Sequence, residues 1–587
     1  MKILDVLLCL AVEGAALGCA PRMSHISGSV RGHDGTPLAI AHVALTSPAD
    51  SATSASVLQV GADHRYRLTT EATGVVALTF SGVGHEPERV LLFLPRKGVR
   101  AEVDVTLAAQ RYTADAAKAA VIGDFNGFRN DVSAIPMSSL PNGRLIAQIP
   151  YSKGGTLAYQ IVNVTEPVEE INSTHPGPPI PAPGAARYVR RDDGRYAAVV
   201  GIESGTATIE FDPARLERSH SESSVTVRSG DRETARFAAF AQTMRRELNA
   251  YKRQRLELKR RGSNQDEVDA FVRRYDWARL HEPLRAELRS DGSALFKQAA
   301  MILYVGELGE VAEMSHSQLD RAIVQTVLKE VPPSSSLWSA VPGAFQAITW
   351  ANYHAKIEAY VRYFDRIVAT HSDQKLREDI LSYDLSVSYF AGDRERTARV
   401  YERLTADFPK SKSAASARKL LAANRKVLAG KPAPRFRVTA LGDHSTVYSN
   451  ESLLGRVYLI DFWGVWCGPC LAEMPHLHKA YETYKDQGFT ILSLSCDPSP
   501  EKVEEFRRGR WPMPWLNGFL TNCYKNREQN DLVAGFEVVG FPSGVLVGRD
   551  GTVLETGPAL RGERLGETLA HVFAVEKQPR NKNTRRS

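Results

Sequence analysis

Arg456-Val457-Tyr458-Leu459-Ile460-Asp461-Phe462, running straight into Trp463-Gly464-Val465-Trp466-Cys467-Gly468-Pro469-Cys470, is the stretch that decides how this chain reads. Residues 456–462 form a near-continuous apolar run, the pattern of a strand buried on both faces of a sheet. Beyond the cysteines, Leu471, Met474, Leu477, Tyr481 and Tyr484 recur at helical spacing. The two cysteines therefore fall where a buried strand ends and a helix begins. Orphan N–H groups and the positive end of the helix dipole stabilise a thiolate at the first cysteine. Two intervening residues let the second cysteine, one turn on, reach back and close a small disulfide ring. Cys467 is thus expected to be the nucleophile that attacks a partner disulfide, and Cys470 the residue that resolves the mixed disulfide. Pro469 suits the first helical turn, where a missing N–H costs least.

The competing reading is half of a zinc site, which would need two further ligands. The remaining cysteines of this region, Cys496 and Cys523, have 26 residues between them, and no neighbouring histidine completes a pattern. No metal and no organic cofactor is expected. Cys496 ends the strand-like Phe489-Thr490-Ile491-Leu492-Ser493-Leu494-Ser495, and Cys523 lies in the next segment. A structural disulfide and two buried free thiols are both open for them.

The run Trp466-Cys467-Gly468-Pro469-Cys470-Leu471-Ala472-Glu473-Met474-Pro475 resembles the W-C-G-P-C-x-x-E-x-P signature of TlpA/ResA-type thiol–disulfide oxidoreductases. The resemblance spans residues 430–575: Gly430-Lys431-Pro432-Ala433-Pro434 is similar to the family's opening segment, and Asp550-Gly551 to a late hairpin turn. It implies an α/β thioredoxin-like fold and exchange of dithiols with protein disulfides. It further implies that Asp461, six residues before Cys467, is the buried acid that helps move the proton of the second cysteine. A charge inside an apolar strand is costly unless it works or is paired. Glu473 matches the family acid one turn past Cys470, or is a solvent-facing helix residue. Val538-Val539-Gly540-Phe541-Pro542 matches the stretch leading to a cis-proline opposite the disulfide, so Trp466, Phe541 and Pro542 are expected to meet substrate. Ser543-Gly544 departs from the family's usual threonines and makes the substrate-facing loop atypical.

Outward from this domain, glycine becomes sparse and helical spacing dominates residues 231–428, as in Phe237-Ala238-Ala239-Phe240-Ala241-Gln242-Thr243-Met244. Ala391-Gly392-Asp393 with Ala398, Tyr401, Leu404 and Phe408-Pro409 resembles a single tetratricopeptide hairpin. The basic run from Lys252 to Arg261 reads as a solvated helix face in preference to an anionic-ligand patch. Residues 24–110 break into short alternating strands split by Gly, Pro and Asp, the pattern of an all-β sandwich. Ile26-x-Gly28-x-Val30 with Gly35-x-Pro37-Leu38 resembles the carboxypeptidase-regulatory-like sandwich, a structural or adhesive appendage. Residues 112–215 are a second β-rich module. There, Gly123-Asp124-Phe125-Asn126-Gly127-Phe128 is similar to a segment of glycogen-binding, early-set immunoglobulin-like domains. A core aromatic beside a turn is the preferred role for Phe128, with a sugar platform as the alternative.

At the N-terminus, Lys2, an apolar stretch and Leu17-Gly18-Cys19 have the ingredients of a leader over residues 1–20, secretory or lipoprotein-type, with Cys19 as the acylated residue. Asp5, Glu13 and Ala16 argue against it, and an apolar helix of a cytosolic protein is the plainer alternative. The favoured expectation is export to a periplasm or cell envelope; membrane attachment through the N-terminus, as a lipoprotein acylated at Cys19, is the less favoured form of it. The tail, residues 576–587, is basic and expected to be disordered.

The 587 residues imply about three to five domains. Hydrophobic residues at 43% and charged residues at 24% exclude a disordered chain. No apolar run reaches the roughly 18 residues that a membrane span needs. A net charge of +7, from 74 basic and 67 acidic residues, makes no case for nucleic acid. The sequence therefore reads as a multidomain protein: two N-terminal all-β sandwich modules, an all-α midsection and a C-terminal α/β thioredoxin-like domain. Its expected function is reduction of protein disulfides, with an upstream thiol as electron donor. The rivals are a thiol peroxidase, although Cys467 lacks the peroxiredoxin setting, and a surface scaffold that binds glycans or a partner. Oligomeric state is not legible.

Overall fold

The computed structural model describes residues 23–577 except 47–55, 114–115, 131–132, 152–154, 167, 170–173, 176, 192–193, 203–204, 217–220, 262, 264, 313–320, 356–358, 422–425, 510 and 525–529. The leader, with Cys19, lies outside the described residues, as does the tail from residue 578 on. Among the described residues no helix is long and apolar enough to cross a membrane.

The first module is two four-stranded sheets packed over a core that includes Ile26, Val43, Leu78, Phe80, Leu92 and Val105. Alternation drives this: Arg65–Thr70 buries Tyr66, Leu68 and Thr70 and exposes the residues between. Gly28 marks a close approach, since a Cβ there would lie 1.9 Å from the Val103 carbonyl oxygen. One strand comes from outside the span read as this module. Ser224–Ser229 pairs antiparallel with Arg100–Leu107, so the second module is inserted between two neighbouring strands of the first. Ser224–Ser229 is a half-exposed edge strand with little apolar signal, which is why its period alone did not announce it.

The second module places a three-stranded sheet and a five-stranded sheet around Val121, Ile149, Leu157, Ile161 and Ile209. Phe128 packs against Ala120, Ile122 and Val162, and the Arg191 guanidinium lies 3.5 Å from its ring centroid. The ring face on that side is therefore covered by a cation, leaving no room there for a sugar.

The midsection is helical from Arg232–Arg260 to Lys412–Leu421. Its core takes in Val75 and Phe93 of the first module, and the Phe93 ring centroid is 5.5 Å from that of Phe237. The basic run has a mixed fate: Arg253 and Arg261 are exposed, whereas Arg255 is buried. In the hairpin, Gln374–Ala391 ends at Gly392 with φ 70°, and Asp393 caps Arg394–Asp407 by accepting from Arg396 N.

The C-terminal domain is a seven-stranded sheet with Val457–Trp463 near its middle. That strand runs parallel to Phe489–Ser495 and antiparallel to Ser543–Val547. Its seven residues are all buried, and its two faces serve two cores. Ile460 and Phe462 join Leu492 and Phe536 on one side; Leu459 and Trp463 join Cys467, Cys470, Met474 and Leu569 on the other.

Candidate active site

Gly468–Tyr484 begins directly after the loop that follows the central strand, with Cys467 as its N-cap. Cys467 and Cys470 form a disulfide with an S–S distance of 2.01 Å and a Cα–Cα distance of 5.2 Å. The Cys470 amide donates to Cys467 Sγ at 3.2 Å, so the helix start turns an orphan N–H toward the first sulfur. Both cysteines are buried, with Cys467 at 5% the slightly more exposed residue and Cys470 at 1%.

Asp461 lies on the same sheet face as this disulfide, because side chains two apart in a strand share a face and Leu459 and Trp463 pack with the cysteines. It is buried, and Ser493 Oγ donates to its Oδ2 at 3.1 Å. Burial pushes its pKa up to about 7; the Ser493 hydrogen bond and the charge of Arg561 pull it down, and Glu473 pushes it further up. Glu473, on the helix, faces the domain and not open solvent: its Oε2 accepts from the Gly562 amide at 2.7 Å. Asp461, Glu473, Leu459, Pro542 and Arg561 line one small cleft.

The loop across from the cysteines contains the Phe541–Pro542 bond, which is cis, as the resemblance implies. Phe541 packs at the border of both cores, and its ring stands edge-on to Trp466 with centroids 5.8 Å apart. The Trp466 indole N–H donates to the Cys496 carbonyl at 2.9 Å, and its ring also meets Tyr524 edge-on at 5.9 Å. Cys496 and Cys523 are joined in a second, buried disulfide with a Cα–Cα distance of 5.1 Å, which selects one of the two possibilities left open for them.

All seven residues singled out in the sequence thus gather around one end of the sheet. Four others escaped that reading. Ser493 and Trp515 lie in the hydrogen-bond chain to Asp461; Ser493 is a polar residue in a mostly apolar strand, whereas Trp515 carries no such signal. Asp497 holds the loop before the cysteines, accepting from Val465 N at 3.0 Å and from Ser495 Oγ at 2.6 Å, and burial raises its pKa. Arg561 carries no local motif. Among the described residues, no group of three or more His, Cys, Asp or Glu side chains is arranged to hold a metal ion.

Residues 455–553 match a family model described as thioredoxin-like. The thiol-disulfide oxidoreductase ResA of Bacillus anthracis is 30% identical over 145 residues, covering 24% of this chain and 76% of that protein. ResA of Geobacillus kaustophilus is 38% identical over 80 residues, 14% of this chain and 45% of the relative. Among solved structures, the thioredoxin domain of a thiol-disulfide oxidoreductase from Bacteroides vulgatus is 28% identical. It aligns with 25% of this chain and 97% of its own, with a TM-score of 0.22. A thiol:disulfide interchange protein from Bacteroides sp. is 26% identical over 27% of this chain and 99% of its own, with a TM-score of 0.24. Through its C-terminal domain, this chain belongs to the thioredoxin-like family that includes the ResA thiol-disulfide oxidoreductases.

Proposed function

We propose that this protein reduces protein disulfides through a Cys467–Cys470 dithiol. The observation that carries the reading is the closed disulfide at a helix N-terminus with a buried acid on the same sheet face. In the reduced protein, the Cys467 thiolate attacks one sulfur of a substrate disulfide. A mixed disulfide forms and the first substrate thiolate leaves. Cys470 then gives up its proton to Asp461 and attacks Cys467 Sγ; the second substrate thiolate leaves as the Cys467–Cys470 bond closes. Two electrons pass to the substrate, and an upstream thiol restores the dithiol. A carboxyl that titrates near neutrality suits this proton transfer.

Trp466, Phe541 and Pro542 form the wall that the substrate chain meets, and the aromatic pair supplies apolar contact. Glu473 acts on the reaction through the charge it places beside Asp461. The buried Cys496–Cys523 disulfide supports an exported location, since such bonds persist in oxidising compartments. The carboxypeptidase-regulatory-like pattern of the first sandwich supports a structural part for it. The direct test is insulin reduction by the full chain with dithiothreitol as donor, beside peroxide turnover. Insulin reduction that disappears in Cys467→Ser supports the proposal; peroxide turnover without insulin reduction contradicts it.

A further inference from the structure

The segment from Gly557 to Arg564 touches the active site on one side and the helical midsection on the other. Arg564 donates to the carbonyls of Ala391 at 2.7 Å and Phe390 at 3.1 Å. These carbonyls end the helix Gln374–Ala391, where orphan acceptors and the negative end of the dipole favour a cation. The fit is close: a Cβ at Gly392 would lie 1.9 Å from Arg564 Nη1. Arg561 completes the contact, with its guanidinium 5.1 Å from the centroid of the Phe390 ring.

The same Arg561 faces the carboxylates. Its side chain is only 12% exposed, and Nη1 lies 3.8 Å from Glu473 Oε1. The next residue, Gly562, donates its amide to the other oxygen of Glu473. Around Asp461, the helix contributes Glu473, the strand Phe489–Ser495 contributes the Ser493 hydroxyl, the strand Ser543–Val547 places Gly544 opposite, and the C-terminal segment contributes Arg561. In this poorly solvated cleft the neighbouring Glu473 charge makes Asp461 hold its proton more tightly, and the Arg561 guanidinium opposes this. Among the described residues that line that cleft, Arg561 is the cation.

We propose that Arg561 is a positioning residue for the dithiol–disulfide reaction: seated on Phe390 of the helical midsection, it balances the Asp461–Glu473 pair and thereby links the midsection to proton transfer from Cys470. The proposal rests on the reading in which Asp461 takes that proton. Without Arg561, burial and Glu473 keep Asp461 protonated to higher pH, and the base is lost at neutrality. Arginine suits both tasks because its planar cation stacks on an aromatic face while its N–H groups stay charged.

The test is the pH profile of insulin reduction, with dithiothreitol as donor, by the full chain and four variants: Asp461→Asn, Arg561→Gln, Arg561→Lys and Phe390→Leu. The midpoint that disappears in Asp461→Asn is expected to move up by about one pH unit in Arg561→Gln. Arg561→Lys keeps the charge and stays near the parent, and Phe390→Leu moves the midpoint part of the way in the same direction. Far-UV circular dichroism checks that each variant is folded. An unmoved midpoint in folded Arg561→Gln overturns the proposal; if Asp461→Asn still removes that midpoint, the proton-transfer reading stands. A midpoint that persists in Asp461→Asn overturns both. A shift in Arg561→Gln with none in Phe390→Leu overturns the link to the midsection.

Discussion

Asp461 and Ser493 face each other in register across the parallel strand pair of the C-terminal sheet, and the Ser493 hydroxyl donates to Asp461 Oδ2 at 3.1 Å. Trp515 Nε1–H donates in turn to Ser493 Oγ at 2.9 Å. One neutral hydroxyl does not compensate for the loss of water around a carboxylate, so burial dominates and the pKa rises to about 7.

That shift has a consequence for stability. Between the unfolded pKa, about 4, and the folded value, the folded protein binds the extra proton, so stability falls as pH rises through this window. Asp461→Asn removes the effect. The variant should exceed the parent by about 4 kcal/mol above pH 8 or so, and the gap should close near pH 4 or so. Hydrogen exchange of the Val457–Trp463 amides in the oxidised protein measures it locally. Equal protection at alkaline pH would contradict the assignment.

The cysteines should fail in different ways. Cys467→Ser removes the attacking sulfur and should lower insulin reduction on the order of 10³-fold or more. Cys470→Ser leaves the attack intact and removes resolution, so a mixed disulfide with substrate should accumulate. Non-reducing electrophoresis with mass spectrometry distinguishes the two outcomes.

The Cys496–Cys523 disulfide bridges a sequence separation of 27 and is buried beside Trp466. Replacing both cysteines by alanine should cost about 3 kcal/mol, chiefly by freeing the unfolded chain. Hydrogen exchange of the Phe489–Ser495 strand reads that loss, and the Cys467–Cys470 couple should still form.

Much of this arrangement is legible in the sequence. The apolar run ending at Trp463, the C-G-P-C spacing and the helical recurrence of Leu471, Met474 and Leu477 act locally, so sequence distance carries them. Phe541–Pro542 was reachable because its motif is contiguous. Arg561 was not: its meaning comes from a C-terminal turn folding back onto Glu473 and Phe390, a tertiary contact with no local period. The strand Ser224–Ser229 hid for a related reason. It pairs with a strand more than a whole module earlier, and its solvent-facing half dilutes the apolar signal. Asp384 and Arg396 form a buried ion pair in the midsection, another tertiary contact with no local period behind it.

That pair yields a prediction of its own. Arg396 Nε donates to Asp384 Oδ2 at 3.0 Å and Nη1 to Asp365 Oδ1 at 2.8 Å, joining three helices. Arg396→Ala strands the Asp384 carboxylate in the interior and should destabilise the midsection by about 3–5 kcal/mol. Replacing both members with apolar residues should cost much less. Thermal unfolding of the two variants, followed by circular dichroism of the helices, compares them.

The central claim is tested most directly by redox titration of the full chain in thiol buffers, with mass-spectrometric counting of free thiols at Cys467 and Cys470. The account predicts one reversible two-electron couple at these residues, near the roughly −270 mV of thioredoxin and absent in Cys467→Ser and Cys470→Ser. A couple near the roughly −120 mV of strong oxidants would contradict the reductase direction, and no reversible couple at all would contradict the oxidoreductase reading itself.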